Sequence, residues 1–153
     1  MKSIILYYSR AGKAEKLAKK LQKALGSEIL KVEPEKAYGN YVSSIIRVIR
    51  ENSKGIAPAF NTEIPNLDSY DVVVIGYPIW ASDIPAFFAA FLQKCNLSKK
   101  IVVPFATFGG TKIDNSLKTL KQVCPESNIA LPYNYGIFNK DNFEKWVESI
   151  QQL

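Results

Sequence analysis

Val72, Val73, Val74 and Ile75 stand in an unbroken row, and that row constrains the fold more than anything else in the chain. A β-branched apolar run this short suits an extended backbone better than a helix. It leaves no polar side to turn toward water. Such a strand needs both faces covered, the situation of a parallel strand between two layers of helix. Gly76 and Pro78 are expected to stop the strand, which then spans residues 71–76. Tyr77 and Trp80 follow at its carboxyl end, where open α/β sheets bind their ligands. The two rings are therefore expected to help form a cleft for a flat group.

The rest of the chain repeats an alternation of strand and helix. Residues 3–8 read as a first buried strand. A helix follows, with Ala14, Leu17, Ala18, Leu21, Ala24 and Leu25 on one face and Gly26 as its C-terminal stop. Lys16, Lys19, Lys20 and Lys23 fall mostly on its outer side. Residues 28–33 alternate and read as a second, more exposed strand that Pro34 ends. In the least regular part, 34–70, Asn40 can cap a helix whose Val42, Ile45, Ile46 and Ile49 share a face. Asn52-Ser53-Lys54-Gly55 breaks that helix, and a connection bearing Pro58 and Pro65 leads to the central strand. A connection of this length usually packs over a surface or lines a site.

Beyond Trp80, Ser82 or Asp83 can cap a helix with Pro85 in its first turn. Its buried stripe is Ile84, Phe87, Phe88, Phe91 and Leu92. A fourth strand at 101–106 ends in Thr107-Phe108-Gly109-Gly110. A weaker helix covers about 114–123, and strand-like residues lie near 128–131 and again near 135–138. The last helix, about 141–151, buries Phe143, Trp146, Val147 and Ile150. This order predicts one α/β domain over residues 1–153, with right-handed crossovers, a five-stranded parallel sheet and helices on both faces.

Composition narrows the function classes. At 153 residues and 47% hydrophobic, the chain can bury a core within one domain. No segment approaches 18 uninterrupted apolar residues, so no membrane-spanning helix is expected. The N-terminal strand runs into Ser9-Arg10-Ala11-Gly12 rather than a cleavage site, so a cytoplasmic location is expected. There is no histidine, which removes Ser-His-Asp triads, Cys-His dyads and HExxH metal sites together. Cys95 and Cys124 have no metal-like spacing and read as small core residues. No metal site and no catalytic side chain stands out; chemistry falls to carboxylates and lysines, or to a bound cofactor. Residues 1–54 carry 12 Lys+Arg against 5 Asp+Glu, a net of +7, and residues 55–153 carry 8 against 9, a net of −1. Those lysines lie on a helix face without interleaved aromatics, and no nucleic-acid module is present, so nucleic acid is not an expected partner.

Several phosphate motifs are absent: there is no GxGxxG and no GxxxxGK followed by Ser or Thr. Three loops remain at the carboxyl ends of strands one, three and four. They are Ser9-Arg10-Ala11-Gly12-Lys13-Ala14, Tyr77-Pro78-Ile79-Trp80-Ala81 and Thr107-Phe108-Gly109-Gly110. A strand order of 2-1-3-4-5 sets strands one, three and four side by side, so the loops converge on one crevice at the switch point.

The pair Gly76-Tyr77-Pro78-Ile79-Trp80 and Pro104-Phe105-Ala106-Thr107-Phe108-Gly109-Gly110 resembles the flavodoxin family of FMN-binding proteins, and the resemblance covers nearly the whole chain. It implies a flavodoxin-like three-layer sandwich with FMN as cofactor. Ser9, Arg10, Ala11, Gly12, Lys13 and Ala14 would hold the phosphate, as a loop feeding a helix N-terminus suits an anion. Tyr77, Pro78, Ile79, Trp80 and Ala81 would meet the ring, with Trp80 against it. Thr107, Phe108, Gly109 and Gly110 would wrap its other edge.

The phosphate loop departs from the family's Ser/Thr-x-Thr-Gly-Asn-Thr. Ser9 and Gly12 match, but Ala11 and Ala14 replace two threonines and Lys13 the asparagine. Two lost hydroxyl bonds are worth roughly 1–3 kcal/mol, about ten- to a hundredfold in affinity. Lys13 and Arg10 can offset part of that through charge-assisted bonds. The resemblance implies an electron carrier or an NAD(P)H-dependent reductase of a small acceptor such as a quinone. The basic pI near 9.2 leans toward a reductase, or toward a carrier with an acidic redox partner. The expectations leave room for a homodimer. The alternative is a fold that has lost its FMN and serves as a protein-interaction module.

Overall fold

The computed structural model describes residues 1–56, 58–107, 113–136 and 142–153. Its elements in chain order are β1 (Ser3–Tyr7), α1 (Lys13–Leu25), β2 (Glu28–Lys31), α2 (Tyr41–Lys54), β3 (Val72–Pro78), α3 (Ala86–Lys94), β4 (Ile101–Thr107), α4 (Asp114–Val123), β5 (Asn128–Ile129), β6 (Tyr133–Tyr135) and α5 (Phe143–Gln151). The sheet is parallel, with order β2-β1-β3-β4-β5 and β6 also paired to β4. This is the expected flavodoxin-like architecture with one strand more than the sequence suggests.

Alternation along the central strands sorts the apolar residues into two cores. Ile4, Leu6, Val73, Ile75, Val102 and Ala106 pack with Phe87, Phe88 and Phe91 of α3 and Leu120 of α4. Ile5, Val72, Val74, Val103 and Phe105 pack with Leu17 and Leu21 of α1 and Trp146 and Ile150 of α5. The row 72–75 is almost wholly removed from water. Each such aliphatic side chain contributes about 1.5–3 kcal/mol as an upper figure.

β3 does not stop at Gly76. Its register with β4 continues through Gly76↔Phe105 and Tyr77↔Ala106 to Pro78↔Thr107. Gly76 lies on the α1/α5 face, where the Phe105 ring occupies the space a side chain would need. Pro78 is tolerated because β1 has already ended at Tyr7, so no ladder bond is lost on that side.

The far edge of the sheet is one interrupted strand. β5 pairs with Ile101 and Val102, and β6 with Phe105 to Thr107. Between them three residues, Ala130-Leu131-Pro132, face two, Val103-Pro104, an extra residue as in a bulge. Leu131 takes φ 49° there, and its carbonyl accepts a bond from the Trp146 indole at 2.8 Å. At the opposite edge, the long connection after α2 pairs with residues 33–35, just beyond the end of β2. Pro34 and Phe60 form an antiparallel bridge, Glu35 N–H reaches Ala59 O at 2.8 Å and Asn61 N–H reaches Glu33 O at 3.0 Å. The connection thus pairs backbone groups that would otherwise be free at that edge.

The helix ends follow their capping signals in part. Gly26 ends α1 in the left-handed conformation, and the Asn40 side chain caps α2 by accepting from Ser43 N–H at 3.0 Å. Neither Ser82 nor Asp83 caps α3, whose N-cap is Pro85. Asp83 instead accepts from Ile84 N–H and from the Thr119 hydroxyl, each at 2.7 Å.

α2 departs most from expectation. Its shared apolar face is not its buried face. Val42 (65% exposed), Ile46 (64%) and Ile49 (60%) stay open to solvent, and Ser44 and Val48 are the buried positions. The helix lies over the margin of the domain, so only a narrow strip of it meets the core. Cys95 and Cys124 are buried free thiols in the α3/α4 core. No helix among the described residues is long and apolar enough to cross a membrane.

Candidate functional site

A cleft of about 610 Å³ opens at the carboxyl end of β1, β3 and β4, the position at which this strand order reverses. Its walls combine the loop after β1, the turn after β3, Thr107 at the end of β4 and one side of α2.

The loop after β1 is built to present backbone donors. The Ser9 hydroxyl oxygen accepts from Gly12 N–H at 3.0 Å, which closes the loop. Gly12 then adopts φ 89°, a conformation that costs a residue with a Cβ about 1 kcal/mol or more. α1 starts directly after it, with Lys16 N–H as its first main-chain bond, to Gly12 O at 2.9 Å. The N–H groups of Lys13, Ala14 and Glu15 are left without an intrahelical acceptor, as at every helix start. Arg10 and Lys13 line the same part of the cleft. Glu15, the one acid in the first turn, is held away by Lys19 at 2.6 Å. That bond keeps its carboxyl below the usual carboxylate range. Among the described residues no Asp or Glu lines the cleft. Free N–H groups, a helix dipole and two cations together favour an anion.

The turn after β3 is strained. Ala81 and Ser82 both have positive φ, 48° and 64°. Trp80 and Asp83 exchange main-chain bonds across them, at 2.8 and 3.0 Å. Two left-handed residues between a bonded pair make a tight turn of the type that prefers Asn-Gly. Filling it with Ala-Ser costs about 1–2 kcal/mol per residue. Asp83, braced against Thr119 of α4, holds the turn from below. The result is a short projection carrying the Trp80 ring at the cleft wall, with the N–H groups of Ala81 and Ser82 unpaired among the described residues. Strain of this kind concentrates at binding sites.

Trp80 is half-buried. Its indole meets the Tyr38 ring edge-on at 4.5 Å and the Tyr8 ring at 5.4 Å. Both phenols are raised above the ordinary tyrosine value, by burial first and, for Tyr38, next by its bond to Glu51. They therefore stay protonated at neutral pH. Pro78, Ile79 and Ala81 complete this wall, and Ile79 N–H is fixed on Thr107 O at 3.0 Å.

The structure thus brings Ser9, Arg10, Ala11, Lys13, Ala14, Pro78, Ile79, Trp80, Ala81 and Thr107 onto one cleft. Gly12 shapes the loop without lining it. Tyr77 does not line the cleft. Because β3 continues to Pro78, alternation turns Tyr77 onto the face of Val73 and Ile75, where it is fully buried and its hydroxyl meets Ser116 Oγ at 2.8 Å. Phe108, Gly109 and Gly110 lie outside the described residues. The cleft also takes in Ser82 and, from α2, Tyr41, Ser44, Ile45, Val48 and Ile49, which the sequence reading did not assign to it. Tyr41, Ile45 and Ile49 recur at intervals of four, which a helix stacks on one side. That spacing was the available signal.

Among the described residues no group of His, Cys, Asp and Glu is arranged to hold a metal ion. The cleft offers an anion seat at one end and an apolar, aromatic wall at the other. Among its described lining residues there is no carboxylate, imidazole or thiol.

Comparisons with known proteins agree with this geometry. A family model described as flavodoxin matches residues 2–150. A crystal structure of a protein assigned as a flavoprotein, from Bacteroides eggerthii, is 31% identical with a TM-score of 0.81, over 99% of this chain and 96% of that one. A similar protein from Bacteroides uniformis is 26% identical with a TM-score of 0.85, over 96% and 97%. A flavoprotein from Lactobacillus acidophilus, solved in complex with FMN, shares the fold at 20% identity and a TM-score of 0.77, over 95% and 97%. Among curated proteins, none matches the sequence.

Proposed function

The chain belongs to the flavodoxin family, and from that premise we propose that it binds FMN in the cleft after β1, β3 and β4 and acts as a redox protein. The observation that carries the reading is one cleft joining the helix N-terminus with Arg10 and Lys13 to an aromatic wall. FMN has that form: a phosphate, a polar linker and a flat ring. Its ring, when bound, supplies the electron chemistry, and the protein supplies binding, orientation and access.

The residues present fit the group. Ser9, Gly12 and the first turn of α1 retain the phosphate-binding frame although Ala11 and Ala14 carry no hydroxyl. Two absent hydroxyl bonds weaken binding by roughly 1–3 kcal/mol. One charge-assisted bond from Arg10 or Lys13 restores about 1.5–3 kcal/mol. The two effects are of similar size, which supports retained binding rather than a loop that has lost it. Trp80, Pro78 and Ile79 provide a flat apolar wall for the ring.

On the reaction side, the reading is electron transfer, or NAD(P)H-dependent reduction of a small acceptor such as a quinone. The exposed apolar side chains of Tyr41, Ile45 and Ile49 at the cleft favour a small apolar acceptor over an acidic protein. Purified protein titrated with FMN, followed by flavin absorbance and fluorescence, tests the binding. Steady-state NADPH or NADH oxidation with and without a quinone then separates reductase from carrier. A folded chain that leaves the flavin spectrum unchanged at excess FMN overturns the reading and favours the interaction module.

A further inference from the structure

The main-chain bonds of its turn fix the Trp80 backbone, and two neighbouring rings pack against its indole. Tyr8 does so from the position directly after β1. The nearer ring is Tyr38, which belongs to no helix or strand and is fixed instead by α2. Its hydroxyl donates to Glu51 Oε2 at 2.8 Å. The Arg47 guanidinium lies 4.0 Å from the centre of its ring. Arg47 Nε donates to Glu51 Oε1 at 2.6 Å, and one Arg47 NH2 group reaches Lys36 O at 2.8 Å and Ala37 O at 3.2 Å. Both Glu51 oxygens, Arg47 Nε and one Arg47 terminal nitrogen, and the phenol are thereby committed to one cluster. Glu51 and Arg47 are largely buried in it, at 13% and 27% side-chain exposure. None of the three lines the cleft. α2 has only two other buried positions, Ser44 and Val48. More contact is invested here than anchoring a marginal helix requires.

We propose that Tyr38, Arg47 and Glu51 are positioning residues for Trp80. They set the orientation of the indole at the cleft, and through it the affinity for FMN and the balance between its oxidised and reduced forms. The second part rests on the FMN reading above; the first does not. An indole held in one orientation presents a fixed face to the ring. An indole free to turn presents that face only part of the time, and weakens the form of the ring it contacts better.

The experiment reads Trp80 in the apo protein and the cofactor in the loaded one. The chain has two tryptophans, so a Trp146→Phe background isolates Trp80 fluorescence. Where that background does not fold, 5-fluorotryptophan labelling resolves the two indoles by fluorine NMR in the otherwise unaltered chain. Tyr38→Leu and Arg47→Met should raise acrylamide quenching of Trp80 or sharpen its fluorine line. They should also raise the FMN dissociation constant by roughly two- to tenfold, the size of one aromatic contact. The midpoint potential should move with them, because the two redox forms lose affinity by different factors. Tyr38→Phe keeps the ring and should recover most of the loss.

Asn40→Ala is the control: it removes the α2 cap bond without touching the cluster, and should move neither readout. Unchanged Trp80 mobility in Tyr38→Leu overturns the proposal, as does an equal effect of Asn40→Ala. If the wild-type chain fails to take up FMN, the functional reading falls, and the apo readout still decides whether the cluster holds the indole.

Discussion

Replacing Gly76 with alanine tests how the strand under the site is packed. A Cβ built on Gly76 falls against Phe105 Cζ and lies 2.5 and 2.6 Å from its two Cε atoms, where ordinary contact begins at 3.4 Å. The ring would have to retreat by more than an ångström. It cannot do so freely. Trp146 closes its other side at a centroid distance of 6.2 Å, within a cluster that also holds Val74, Val103 and Tyr133. Overpacking of a rigid core site costs about 1–3 kcal/mol and sometimes more. We expect Gly76→Ala near the upper end, a fall in Tm of roughly 5–12 °C for a chain of this size.

The sign should reverse once the ring is gone. Gly76 is not among the glycines with positive φ, so alanine fits its backbone and gains about 0.4–1 kcal/mol by restricting the unfolded chain. In a Phe105→Ala background, itself costing about 3–5 kcal/mol, Gly76→Ala should therefore stabilise. Urea unfolding of the two single variants, the double variant and the parent closes the cycle. Equal destabilisation by Gly76→Ala in both backgrounds would refute the reasoning, because the cost would then not come from Phe105.

Further outcomes follow from the same structure. Ile46→Ser, at a position 64% exposed, should change stability by less than about 0.5 kcal/mol, while Val48→Ala, at 9%, should cost about 2 kcal/mol; denaturant titration showing the opposite order would mean that α2 is rotated. Tyr77→Phe should cost about 1 kcal/mol for its bond to Ser116 and leave FMN affinity unchanged, so weakened affinity in that variant would return the ring to the cleft. Burial pushes the Cys95 thiol up to about 12 and that of Cys124 up to about 11 from 9.0. Above pH 9 the unfolded chain then releases protons that the folded chain keeps, so stability is greatest below that pH and falls as pH rises, by at most about 1.4 kcal/mol per pH unit for each thiol. Urea midpoints at pH 8, 9 and 10 check the slope, and a thiol reagent should label neither cysteine of the folded chain at pH 8.

The parts of the fold legible in the sequence are those set by local pattern. The row 72–75, the stripe Leu17-Ala18-Leu21 and the α5 positions Phe143, Trp146, Val147 and Ile150 declare their burial through spacing alone, and the alternation of elements declares a parallel sheet with helices on both faces. What the sequence hides depends on neighbours. Gly76 looks like a strand terminator until Phe105 is seen filling its missing side chain, and that single fact carries the strand on to Pro78 and turns Tyr77 inward. The apolar face of α2 has the periodicity of a buried face, yet periodicity does not say which side meets the core; Arg47 and Glu51, polar in sequence, are more enclosed than Val42 or Ile46. The tight loop after β1 was readable from Ser9 and Gly12, which close and turn it. The strain at Ala81 and Ser82 was not, since neither residue type signals a left-handed backbone.

The central claim is that the cleft between the 9–14 loop and the Trp80 turn receives FMN. Its most direct measurement is a titration of flavin-free protein with FMN, followed by Trp80 and flavin fluorescence and repeated with riboflavin, which lacks the phosphate. The account predicts saturable one-to-one binding with quenching of both fluorophores, weakened by at least about tenfold for riboflavin and for an Arg10→Met, Lys13→Met variant. Absence of saturation in the folded protein, or equal affinity for FMN and riboflavin, would contradict it.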